Sequence, residues 1–183
     1  MISTINNIKT AGIGFGIFAL SCVPLMSQEK PFTVKVGVAY NIVQTDEISK
    51  NCLGIETVLE KKLKEKLFTE WEIGLYTRNT NTSIYSRMQT NIGLEYKPIM
   101  KNGWAMGGKA AIGVSSEFHK GVEETLYGFN ITSSSKRISL NKLVELNVEK
   151  VFKNGAGVNF GVSREIDRNI WKVGAKVILK PRG

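Results

Sequence analysis

Three places in this sequence carry residue types that could do chemistry. Residues 103–110 read Gly-Trp-Ala-Met-Gly-Gly-Lys-Ala, which sets two glycines and Lys109 at the spacing of a phosphate-cradling loop. Ala110 stands where such a loop needs Ser or Thr, and no helical pattern follows to aim backbone N–H groups at a phosphate. The better reading is a coincidence of spacing inside a strand. His119, the one histidine, follows Ser115, Ser116 and Glu117. Nucleophilic catalysis needs the base beside the nucleophile and an acid to orient it. Ser115 and Glu117 share one face of an alternating run, while His119 falls where that run gives way to polar residues. The expectation is a solvated loop histidine and no enzymatic activity. The third place is a wealth of carboxylates (Glu56, Glu70, Glu72, Glu95, Glu117, Glu145 and Glu149) interleaved with Arg87, Lys109, Lys172 and Lys176. Paired carboxylates can do acid–base work. So many charges of both signs on one face are better explained as structural pairs, because an unpaired buried charge is costly.

Composition removes further classes. Two cysteines and one histidine in 183 residues leave no disulfide framework and no zinc site, so no metal and no cofactor is expected. The net charge of +9 raises nucleic-acid binding. Its carriers are scattered rather than gathered, among them Lys61, Lys62, Lys64, Lys66, Lys136, Arg137, Lys180 and Arg182. Contacts to anionic lipid headgroups suit that distribution better.

The elements that must position these residues are strands. Apolar and polar residues alternate with period two, a spacing no helix face has. Phe32, Val34, Val36, Val38, Tyr40 and Ile42 face one way, and Thr33, Lys35, Gly37, Ala39 and Asn41 the other. The pattern recurs over residues 52–62, 67–78, 84–97, 104–118, 136–152, 156–164 and 170–180, which makes eight strands. Most run 9–15 residues, against about 5–6 for an ordinary strand and about 9–11 for one crossing a bilayer. Short turns are expected around residues 64–66, 99–103 and 153–155, the last carrying Asn154-Gly155. Polar loops are expected at 43–51, 79–83, 119–135 and 165–169, with residues 126–132 able to lengthen the third hairpin. An even strand number returns both termini to the short-turn side.

Ahead of the strands, residues 1–27 read as a cleaved export signal. Lys9 precedes the apolar run Ala11 to Leu20, which is too short to span a bilayer, and Pro24 follows it. Lipidation at Cys22 is the alternative processing. The single domain is then 28–183, where Cys52 has no partner for an internal disulfide.

Alternation alone does not say which face points inward. A soluble lipocalin-like carrier would turn the apolar face in, and a membrane barrel would turn it out. Gly37, Gly54, Gly74, Gly93, Gly107, Gly113, Gly161 and Gly174 all lie on the polar face. Glycine weakens a strand washed by solvent, yet a narrow eight-stranded interior needs small residues beside its long ones. Phe32, Trp71, Tyr96, Trp104 and Phe152 sit on the apolar face toward the short turns, and Tyr40, Phe118 and Trp171 toward the long loops. Two aromatic girdles around an aliphatic band suit a bilayer. The chain thus resembles the small outer-membrane β-barrels of the OmpA transmembrane domain and OmpX type, over essentially all of residues 30–180. The resemblance implies an all-β, eight-stranded antiparallel up-and-down barrel in a bacterial outer membrane. It implies a charge-filled lumen and a monomer surrounded by outer-membrane lipid and lipopolysaccharide. It also implies a structural or surface-interaction role, with loop 119–135 meeting an external protein. One departure is the ending Leu179-Lys180-Pro181-Arg182-Gly183, where such barrels carry an aromatic residue.

Overall fold

The computed structural model describes residues 32–43, 51–80, 83–125 and 128–179. The export segment, Cys22 and residues 44–50 lie outside these. Eight strands follow one another: β1 (Thr33–Val43), β2 (Cys52–Lys64), β3 (Leu67–Asn79), β4 (Ser83–Lys101), β5 (Trp104–Thr125), β6 (Gly128–Val151), β7 (Gly157–Glu165) and β8 (Ile170–Leu179). Each pairs antiparallel with its neighbour, and β1 closes on β8 into a barrel. Paired residues followed once around, from Thr33 through Glu60, Glu70, Gly93, Ala111, Leu143, Glu165 and Ile170, return to β1 at Val43, ten residues further along. A stagger of that size tilts the strands by roughly 40° and leaves a lumen that side chains can fill.

The three lower connections are tight. Asn102 and Gly103 both take positive φ, 53° and 76°, as a two-residue hairpin turn requires. β4 therefore runs on through Pro98 to Lys101, where a turn over 99–103 was expected. A register shift between Tyr96 and Ile99 absorbs the proline, which has no N–H for the ladder. At the upper end, the described residues of 119–135 are strand rather than loop. β5 and β6 stay paired up to Thr125 and Gly128, because the ladder between two adjacent strands does not depend on a buried face. β4 leaves β5 at Gly121 and β7 leaves β6 at Leu143, so this hairpin projects alone above the barrel. Glu165, expected in a loop, ends β7 instead and points into the lumen.

The faces are inverted relative to a water-soluble barrel. Leu140 and Leu146 are 76% and 74% exposed, while Glu56 and Glu95 are wholly buried. A lumen of this polarity has no place for a hydrophobic ligand, which removes the carrier reading. Glycines make room inside. A Cβ on Gly54 would stand 2.2 Å from Tyr76 Cδ1, and one on Gly74 would stand 2.6 Å from Tyr76 Oη, so this ring needs both gaps. Gly54→Val is expected to cost about 1–3 kcal/mol through overpacking, read as a lower urea midpoint. An unchanged midpoint would mean that Tyr76 has somewhere else to go.

Candidate functional site

Period-two geometry sends long charged side chains from all eight strands into one lumen, where they sort into three layers. In the lowest, Lys35 Nζ lies 2.7 Å from Glu60, 2.8 Å from Glu70 and 2.5 Å from Glu149. Lys97 Nζ shares Glu60 at 2.5 Å and Glu149 at 2.6 Å, and it lies over the Phe68 ring. Asn147 donates to Glu95 at 2.7 Å and Asn159 to Glu149 at 3.0 Å. In the middle layer Lys109 reaches Glu70, Glu72 and Glu145 at 2.8–3.1 Å. Lys172 bridges Glu56 and Glu72 at 2.6 and 2.7 Å, and Lys176 meets Glu56 at 2.9 Å. Tyr76 donates to Glu56, while Gln89 and Asn91 each donate to Glu72 at 3.1 Å. In the upper layer Arg87 pairs with Glu165, and Arg168 reaches down from the β7–β8 turn to hold Glu117.

The carboxylates of Glu60, Glu95 and Glu149 converge closely enough to suggest a cation site. The Lys35 ammonium already sits 2.5–3.7 Å from all three, so a protein cation takes the place a metal would need. The Gly103–Ala110 segment is turn and strand, with Lys109 committed to three glutamates. His119 lies within β5, opposite Tyr85 and Ser135, rather than in a loop. The catalytic geometry does not assemble around it. Ser115 donates to Asn141 at 2.9 Å, and Glu117 is held by Arg168.

On the outer face Tyr40, Trp71, Tyr96, Trp104, Phe118, Phe152 and Trp171 are exposed and Phe32 is half-buried. Phe32 and Trp104 carry lysines over their rings, Lys61 and Lys150, at the lower rim. Trp171 carries Arg164 at the upper rim. Trp71 donates to Thr90 Oγ1 at 2.9 Å, so its indole N–H has a partner on the outer face.

Sequence reasoning missed Lys97, Tyr76, Glu165 and Arg168. Lys97 continues the parity of Glu95 at the last residue of its expected strand, and Tyr76 continues that of Gly74, where its aromatic type hid it. Arg168 had no local signal, because it lies in a turn and reaches Glu117 across the lumen.

An eight-stranded closed barrel with apolar outside and charge inside has known counterparts. This is the fold of the small outer-membrane β-barrels. The chain is similar to Neisserial surface protein A (12% identity, TM-score 0.59, 82% of this chain and 97% of that one). It is similar to Ail, the attachment invasion locus protein of Yersinia pestis (9% identity, TM-score 0.57, 84% and 98% covered). It is also similar to the N-terminal β-barrel domain of Pseudomonas aeruginosa OprF (9% identity, TM-score 0.53, 81% and 97% covered). Identities this low speak for the fold alone. No family model matches the chain, and no curated protein matches it.

Proposed function

We propose that this protein is a non-enzymatic barrel of a bacterial outer membrane, exported by a cleaved signal and inserted with its short turns facing the periplasm. The carrying observation is the inversion of faces: an aliphatic outer surface around a lumen closed by ion pairs. Water would penalise that surface, and a bilayer would not. The exposed aromatic residues other than Trp71, which pairs with Ile92 away from both rims, would sit at the two interfaces, where amphipathic rings are favoured. The packed lumen argues for a scaffold rather than a wide pore. Surface interaction falls to the β5–β6 hairpin, whose exposed Lys136 and Arg137 suit an acidic external partner. Ail has been solved with the heparin analogue sucrose octasulfate, a polyanion. Lipopolysaccharide phosphates would meet the same upper rim.

Fractionation of expressing cells, with boiled and unboiled samples on one gel, tests this reading. An outer-membrane pellet whose unboiled protein migrates faster supports it, and soluble protein with no shift overturns it. His119→Ala is expected to leave the heat shift and partner binding unchanged. Total loss of a lipid-modifying activity in that variant would revive an enzyme.

A further inference from the structure

One stretch of the outer face is not smooth. Leu94, Ala110, Val144, Arg164 and Trp171 lie side by side across β4 to β8, each paired with the next. Two apolar furrows flank this row. The first holds about 620 Å³ and passes Tyr96, Gly108 and Leu146 to end at Arg164 and Trp171. The second holds about 560 Å³ and passes Ile92 and Ile112 to end at Lys142 and Ile166. At about 4.8 Å between strands, the first furrow is about 19 Å long. Strand tilt makes it climb from Tyr96, on the short-turn side, toward the upper rim, so that its upper part at Val144, Arg164 and Trp171 would lie in the outer leaflet.

Gly108 forms part of the first floor, and its own packing does not require glycine. A Cβ there would meet nothing nearer than 3.7 Å, whereas Gly37, Gly54 and Gly113 would clash at 2.0–2.2 Å. Its φ is not in the left-handed region. The small residues Gly108 and Ala110 therefore leave a depression that no side chain among the described residues fills. At its upper end Arg164 lies over Trp171 and donates to Asn169 at 3.1 Å, which holds the guanidinium in place. Lys142 is largely exposed and touches Asp167 only at 3.5 Å. Cations of this kind above apolar channels suit phosphate above acyl chains.

We infer that the two furrows bind one molecule of the diphosphorylated, multiply acylated anchor of lipopolysaccharide, its phosphates on Arg164 and Lys142 and two acyl chains in the furrows. This rests on the outer-membrane reading, because only that insertion puts the upper rim in the outer leaflet. The protein holds the lipid by charge and shape, and no bond is made or broken.

The test uses the full barrel refolded in detergent and shown to be heat-modifiable. Purified hexa-acylated lipid A and phosphatidylglycerol are titrated separately, and bound lipid is counted by native mass spectrometry. Lipid A is expected to bind at one per barrel and at least ten-fold more tightly than phosphatidylglycerol. Gly108→Leu with Ala110→Leu fills the floor, and Lys142→Gln with Arg164→Gln removes the cations. Each pair is expected to weaken lipid A at least ten-fold while the heat shift persists. Equal affinity for the two lipids, or full lipid A affinity in the floor-filled variant, overturns the site. A barrel that shows no heat shift and does not fractionate with membranes overturns the outer-membrane reading instead, so the two failures are distinguishable.

Discussion

Lys35→Met is expected to destabilise the barrel by about 3–5 kcal/mol, the usual cost of breaking a buried ion cluster by removing one partner. Lys35 is the hub of the lowest layer, within 2.8 Å of Glu60, Glu70 and Glu149. Without it, among the described residues Lys97 is left as the ion-pair partner of Glu60, Glu95 and Glu149, and Lys109 as that of Glu70. Methionine fills the space without supplying the charge, so the loss is electrostatic rather than a cavity effect. Urea titration followed by the fraction of heat-modifiable protein measures it. Adding Glu149→Gln to Lys35→Met removes one excess carboxylate and is expected to recover part of the loss. A Lys35→Met barrel as stable as the parent would mean that water enters the lower lumen freely and screens the carboxylates.

Ile92→Arg tests the other face, with an expected cost of about 2–4 kcal/mol for folding into a bilayer. Ile92 is 60% exposed on β4, between Trp71 and Ile112 and away from both rims. Arginine there clashes with nothing in the protein. In water the change should be nearly neutral, within about 0.5 kcal/mol for an exposed site. The cost therefore reports the surroundings rather than the packing. Folding yields of the variant and the parent in phospholipid vesicles measure it. A variant that folds as well as the parent would place Ile92 in water and overturn the membrane-spanning arrangement.

The strands were legible because alternation is a local property. Phe32 to Ile42 shows its two faces without reference to any other part of the chain, and the same holds near Trp171 and Val173. The errors fell where a local cue competed with a long ladder. A short turn was expected over residues 99–103, yet pairing with β5 carries β4 on to Lys101. The polar run after His119 suggested a loop, yet β5 and β6 pair through it because each supplies the other's backbone partners. Glu165 and Arg168 both looked like loop residues. One ends a strand in the lumen, and the other leans back over it.

By itself the sequence determined the strand count, the split between a charged face and an apolar face, and the placement of glycines beside long polar neighbours. Those follow from residue type and a period of two. Only the tertiary structure decided the ten-residue stagger around the barrel, and with it which ammonium meets which carboxylate. Lys35 and Glu149 are 114 residues apart and Lys172 and Glu72 are 100 apart, so no local pattern could pair them. The furrows between Leu94 and Trp171 have the same origin. They exist because register aligns small residues from one strand with larger ones from its neighbours, and register belongs to the closed sheet rather than to any strand alone.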